Sequence, residues 1–279
     1  MLWAFTKMQG CGNDYIYFDC FDREFPQPEE KAVMLSRAHF GVGGDGIILI
    51  EPSDTADARM RIFNQDGSEG RMCGNGIRCV GKYLYDSGRA KQDVLRVETR
   101  SGIKVLQLSI TDGKAESVRV DMGPASFRAK DIPVLLPEEE AVEVLLECGG
   151  KSEPVTCVSM GNPHCVLFRS DVQHLDIQKE GPAFERHPAF PERTNTEFVQ
   201  ILDRRHVRMR VWERGSGETL ACGTGACASV AAAVRCGYCD DGEEITVHLL
   251  GGDLKIVYTP ATVWMEGEAR TVFRGEIDL

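Results

Sequence analysis

Two stretches of the chain carry apolar residues at helical spacing, and each opens on a cysteine. After Cys73, the residues Ile77, Val80, Tyr83 and Leu84 recur at a period near 3.6; after Cys222, Ala226, Val230, Ala233 and Val234 do the same. Elsewhere the pattern shortens to β-rich runs. Tyr15–Phe18 and Cys165–Phe168 each follow a Gly-Asn turn, and further strands are predicted near 47–51, 58–63, 197–202 and 206–212. Two more helices are predicted, one over "PEEKAVMLSRAHF" from Pro28 and one over about 171–186.

These elements repeat. Cys73 and Cys222, Gly12 and Gly161, Asn13 and Asn162, and Arg61 and Arg210 are each separated by 149 residues. The pieces "GNDYIYF" and "GNPHCVL" align on that offset, as do "RIFNQDGSEGRMCGNG" and "RVWERGSGETLACGTG". The expected fold is therefore α+β, with two pseudo-symmetric lobes. Each lobe is a mixed, mostly antiparallel sheet or barrel wrapped on a central helix, with the active site in the cleft between lobes. Pro124, Pro133 and Pro137 crowd the junction and set the expected division at 1–126 and 127–279, the final strand 270–279 being available to complete the first lobe.

Composition narrows the function. With 43 acidic against 32 basic residues the net charge is −11, which argues against a nucleic-acid partner. No apolar run approaches the ~20 residues that span a bilayer, so no membrane association is expected. Eleven cysteines, an odd number without a secretory signal, suit a reducing compartment and free thiols. A cytoplasmic location is expected.

A cysteine at the first turn of a helix meets unpaired N–H groups and the positive end of the helix dipole, which should draw its thiol pKa toward neutral. Gly74 and Gly76, and Gly223 and Gly225, would let backbone amides approach a bound carboxylate. Two such thiols facing one carbon could take a proton from one side and return it to the other, which a single clamped group cannot do. A zinc site built from Cys73, Cys79, Cys222 and Cys227 fits poorly, because the Cys-x5-Cys and Cys-x4-Cys spacings differ from those of structural zinc. No metal is expected.

The motifs "GCGNDY", "RIFNQDGSE", "MCGNGIRC", "GNPHCV", "RTNTEF" and "ERGSGETLACGTGAC" together resemble the diaminopimelate epimerase family over nearly the whole length. The resemblance implies interconversion of LL- and meso-diaminopimelate on the lysine and peptidoglycan-precursor route, with no cofactor (PLP-independent), by a protein that is commonly a homodimer. It implies that Cys73 and Cys222 are the catalytic pair. Gly74 with Asn75, and Gly223 with Thr224, would hold the carboxylate at the reacting centre. Asn13, Asn64, Asn162, Asn195, Glu213 and Arg214 would bind the remaining amino and carboxylate groups, and His164 and Glu213 would tune the thiols. Gly46, in "GVGGDG", stands where several members carry Gln, so a side-chain contact to substrate is expected to be missing there.

Two other functions fit the residues. A two-cysteine proline or hydroxyproline racemase also uses paired Cys-Gly-x-Gly elements, although Asn64, Glu213 and Arg214 supply polar groups that a proline ring would not need. A non-catalytic ligand-binding protein on the same scaffold is the third, and retention of both cysteines weighs against it.

Overall fold

A computed structural model describes residues Met1–Leu279 as a mixed α+β protein, mostly strands, with four α-helices. The first part of the chain runs β1 (Leu2–Gly10), β2 (Asn13–Asp19), α1 (Pro28–Ser36), β3 (Gly46–Glu51), β4 (Ala58–Asn64), β5 (Glu69–Gly70), α2 (Gly74–Asp86), β6 (Val94–Thr99), β7 (Gly102–Thr111) and β8 (Lys114–Gly123). After a 3₁₀ turn at Ala129–Asp131 follow β9 (Val144–Cys148), β10 (Lys151–Ser159), β11 (Pro163–Phe168), α3 (Ile177–Glu185), β12 (Asn195–Asp203), β13 (His206–Glu213) and β14 (Gly217–Thr219). The chain closes with α4 (Gly223–Arg235), β15 (Glu244–Leu249), β16 (Gly252–Tyr258), β17 (Val263–Glu268) and β18 (Arg270–Asp278). It divides into two compact units, Met1–Asp121 with Glu266–Leu279, and Met122–Met265.

The first unit is a mixed sheet around α2. β1 pairs antiparallel with β2 on one side and β18 on the other, β2 lies parallel to β3, and β3 and β4 are antiparallel. β4 then runs parallel to β6, which turns antiparallel into β7. Ile77, Val80 and Leu84 of α2 are fully buried as their spacing requires. Tyr83, the fourth member of that stripe, is only half-buried because its hydroxyl reaches out to Asp19 Oδ2 at 3.0 Å. Gly81 lets the helix press onto the sheet, since a β-carbon there would lie 2.8 Å from Leu106.

The second unit repeats the order of pairings. β10 and β11 are antiparallel, β11 and β12 parallel, β12 and β13 antiparallel, β13 and β15 parallel, and β15 and β16 antiparallel. Its central helix α4 is buried on every side from Gly225 to Ala233, which explains its run of small residues. Val234 of the sequence stripe is half-buried, and Ala231 and Ala232 are buried in addition to the expected positions. One ion pair recurs in both units at the repeat offset: Arg61 Nε to Glu69 and Arg210 Nε to Glu218, each 2.8 Å. Each pair ties together the two strands that lead into a cysteine loop.

Two helices are shorter than their patterns predict. α1 stops at Ser36, where the amides of Gly43 and Gly44 take the carbonyls of Leu35 and Ser36. The stretch 171–176 ahead of α3 is not helical: Asp171 accepts from the amides of Gln173 and His174 in an Asx turn. Arg210 Nη1 then takes the carbonyls of Val172, Gln173 and Leu175, at 3.0, 3.4 and 2.8 Å, which a helix would have used.

Candidate active site

In the first unit Cys73 is the N-cap of α2, with an extended backbone, and its Sγ accepts the Gly76 amide at 3.3 Å. Its thiol donates to Asn13 Oδ1 at 3.2 Å, and Asn13 Nδ2 donates to Asp45 Oδ2 at 2.6 Å. Asp45 also receives the Asp14 amide at 3.1 Å, while burial pushes its carboxyl pKa up against those bonds. Asn75, in the first turn of α2, is 3% exposed. Asn64 ends β4 and donates to Ser68 Oγ at 3.1 Å. Gly46 is its register partner across β3 and β4.

Gly46 is glycine for a local steric reason. Its φ is +156°, and a β-carbon would lie 2.1 Å from the Phe63 carbonyl oxygen. The backbone here excludes any side chain. Cys11 occupies the β1–β2 turn with φ 54°, buried, its sulfur 3.6 Å from the Nη2 donor of fully buried Arg78.

In the second unit Cys222 is the N-cap of α4, again with an extended backbone, and its Sγ accepts the Gly225 amide at 3.4 Å. Thr224 Oγ1 lies 3.5 Å from the same sulfur and accepts from Asn162 Nδ2 at 3.3 Å. His164 is wholly buried, its Nε2 3.0 Å from Asn162 Oδ1 and its Nδ1 2.7 Å from Glu197 Oε1. Gly225 makes room for that carboxylate: a β-carbon would lie 2.7 Å from Glu197 Oε1. Glu213 accepts from the Thr219 hydroxyl at 2.5 Å. Asn195 Oδ1 accepts the Arg214 amide at 2.9 Å, and the Arg214 guanidinium donates to the Glu192 carbonyl at 2.9 Å.

The expectation of acidified thiols is reversed at Cys222. Burial, then the Glu213 and Glu197 carboxylates, push its thiol pKa well above the ordinary value, outweighing the Thr224 hydroxyl and the Gly225 amide. The N-terminal amides are present, but desolvation and like charge are larger. Burial likewise raises Glu213, against the Thr219 bond.

Asp45 and Glu197 are the functional candidates missing from the sequence reading. Asp45 sits in a glycine-rich turn and looks like a turn former. Glu197 interrupts the buried run Asn195–Val199 of β12, and an acidic residue inside such a run is the available signal. Cys236 and Cys239 have a Cys-x-x-Cys spacing, but they lie at the C-terminal end of α4, where the dipole disfavours a thiolate. Burial raises both thiols, Cys239 to about 11. No group of three or more His, Cys, Asp or Glu side chains is arranged to hold a metal ion. No helix is long and apolar enough to cross a membrane.

Solved structures with this fold define the class. A PhzF-family phenazine biosynthesis protein of Bacillus anthracis matches with a TM-score of 0.73 at 17% identity, covering 100% of both chains. A probable proline racemase from Agrobacterium radiobacter K84 matches with a TM-score of 0.68 at 16% identity, over 99% of this chain and 93% of that one. The protein thus has the two-domain fold of the PhzF and racemase structures. Within that class, the diaminopimelate epimerase family model matches residues 5–128 and 156–272. Diaminopimelate epimerases of Acetivibrio thermocellus and Agathobacter rectalis are 52% and 50% identical over 277 and 284 residues. They cover 99% of this chain and 98% and 99% of their own lengths. The chain belongs to the diaminopimelate epimerase family.

Proposed function

We propose that the protein is an isomerase interconverting LL- and meso-diaminopimelate by a two-base thiol mechanism without PLP. Its relatives bear the diaminopimelate epimerase name over their full length. The observation that carries the mechanism is the duplicated cysteine N-cap: Cys73 and Cys222, each with its sulfur on the amide of the third residue beyond.

One cysteine, as thiolate, takes the α-proton from one face of the substrate carbon. The other, as thiol, gives its proton to the opposite face, and the roles exchange in the reverse direction. Both sulfurs must reach the same substrate carbon. Before substrate binds, burial and two neighbouring carboxylates favour Cys222 as the thiol. The amides of Gly74 and Asn75, and of Gly223 and Thr224, are assigned to the α-carboxylate, where negative charge grows in the transition state. The Glu213 carboxylate suits a substrate ammonium, and Asn13, Asn64, Asn162, Asn195 and Arg214 are assigned to the other polar groups of the substrate. His164 and Glu213 are assigned to thiol tuning. A cytoplasmic homodimer completes the proposal, by resemblance.

The test is proton NMR of the purified protein in deuterated water with LL-diaminopimelate, and with L-proline in parallel. Loss of the α-proton signal and appearance of the meso isomer with diaminopimelate alone is the expected result. Exchange with proline instead would move the assignment to a racemase, and no exchange with either would leave a binding protein.

A further inference from the structure

Four hydrogen bonds run in series from a buried carboxylate to the sulfur of Cys222: Glu197 Oε1 to His164 Nδ1 at 2.7 Å, His164 Nε2 to Asn162 Oδ1 at 3.0 Å, Asn162 Nδ2 to Thr224 Oγ1 at 3.3 Å, and Thr224 Oγ1 to Cys222 Sγ at 3.5 Å. Glu197 and His164 are both 0% exposed, and the second carboxylate oxygen of Glu197 is buried with no partner. A buried carboxylate with one unbonded oxygen is costly to keep.

The chemistry of each group dictates the direction of the series. An amide nitrogen only donates, so the Thr224 oxygen receives from Asn162, and its own hydrogen is free to point at the sulfur. An amide oxygen only accepts, so His164 carries a proton on Nε2. The remaining proton lies on the short line between Nδ1 and Glu197.

We propose that Glu197 is a positioning residue: through His164, Asn162 and Thr224 it turns the Thr224 hydroxyl proton onto Cys222 Sγ and so supports the thiolate form of Cys222. Its meaning for catalysis rests on the reading of Cys222 as an acid–base residue, while the hydrogen-bond series itself does not.

The first unit has the opposite polarity at the matched position. There Asn13, the counterpart of Asn162, turns its oxygen to Cys73 and its nitrogen to Asp45, so the cap supports a thiol. Tyr15 stands where the second unit has His164, and Asn75 where it has Thr224. Two caps of one backbone design thus carry different side-chain polarity, and at Cys222 the Thr224 hydroxyl offsets part of what burial and the two carboxylates cost the thiolate.

The groups facing the Cys222 sulfur fix the sign of the test. Glu213 on β13 and the carboxylate of Glu197 on β12 oppose a thiolate; Thr224 and the Gly225 amide of α4 favour it; His164 on β11 lies behind Asn162. Simple removal of a carboxylate charge would make the thiol more acidic. Loss of the oriented Thr224 proton would make it less acidic, so direction alone separates the two.

The experiment follows alkylation of Cys222 by iodoacetamide against pH, peptide by peptide in mass spectrometry, without substrate. E197L is expected to raise the apparent thiol pKa by about 1, a tenfold loss of thiolate at fixed pH, and T224V to do the same. The double variant is expected to titrate no higher than T224V alone, because the upward effect of both runs through one hydroxyl. E197Q, whose amide can donate to Nδ1 and keep the proton on Nε2, is expected to bring the titration back to the unaltered position or below it, since the opposing charge is gone. With diaminopimelate, E197L should lower kcat about tenfold with KM little changed.

A downward shift in E197L, or additive shifts in the double variant, would overturn the proposal. Should E197L fail to fold, ¹⁵N NMR of histidine in the unaltered protein decides the matter: Nε2 of His164, assigned by its loss in H164Q, must carry a proton. An unprotonated Nε2 rejects the series. A shifted Cys222 titration in a protein that does not epimerise diaminopimelate would keep the series and reject the proposed function.

Discussion

The Cys73 thiol donates to Asn13 Oδ1 at 3.2 Å, and the orientation of that oxygen is held by Asp45, which takes the Asn13 amide nitrogen at 2.6 Å. Removing the carboxylate frees the Asn13 amide to rotate. D45A is expected to lower kcat by about 10- to 100-fold, the order of loss that misplacement of a reacting group brings. D45N, which keeps an oxygen for the Asn13 and Asp14 donors, should recover most of that rate. Steady-state kinetics of the two variants, with circular dichroism to check folding, test the assignment.

C73A and C222A are each expected to lower epimerisation by at least about 10²-fold, the lower end of the contribution of a positioned acid or base. Both should remain folded, because a thiol replaced by a methyl group at a helix N-cap leaves the buried stripe of α2 or α4 intact. Meso product formation at the unaltered rate in either variant would remove the two-base mechanism.

Glycine at 225 and at 46 is required by sterics of two different kinds. At Gly225 a β-carbon would meet Glu197 Oε1 at 2.7 Å and Cys222 Sγ at 3.3 Å; at Gly46 it would meet the Phe63 carbonyl at 2.1 Å. G225A is expected to cost about 1–3 kcal/mol in urea unfolding, with a loss of activity larger than the loss of stability accounts for. G46Q is expected to destabilise the first unit and give no fall in KM, since the new side chain cannot be accommodated without moving β4. Tighter substrate binding in G46Q would show that the backbone there yields.

Alkaline pH should weaken the fold through its thiols. Burial holds Cys79 and Cys239 at about 11 and Cys20 at about 12, against 9.0 for an ordinary thiol. Above pH 9 the unfolded chain therefore releases protons that the folded chain keeps, and stability falls with rising pH. The unfolding free energy from urea titrations is expected to be flat in this respect up to about pH 9 and to decline from there to 11 or 12. An unfolding free energy that rises over that window would contradict the buried-thiol assignment.

Much of this site was legible in the sequence because it is local. Cys73 and Cys222 cap helices whose first residues are glycines, and a fixed offset between two such segments needs no tertiary information. The helix stripes were readable for the same reason, apart from Tyr83 and Val234, which turn outward at the far ends of their helices. What escaped depends on contacts distant in sequence. Asp45 acts across to Asn13 and Glu197 across to His164 on the neighbouring strand, and nothing in "GVGGDG" or "RTNTEF" by itself says which strand lies alongside. The acidity of Cys222 is not legible in the sequence, because helix dipoles are visible there whereas burial and the convergence of Glu213 and Glu197 are not. The helix predicted from 171 failed on Arg210, whose guanidinium claims three carbonyls from a segment far ahead of it in the chain.

The strand β18 lies along β1 from Leu2 to Gln9, and the terminal ammonium of Met1 reaches the Leu279 carbonyl at 2.9 Å. On the ribosome, then, the half of the protein that emerges first is the half that is finished last. Residues 122–265, by contrast, are contiguous in the chain. β1 must meanwhile wait with one edge uncovered until β18 has been made, and an open strand edge is a template on which a nascent chain can pair with its neighbours.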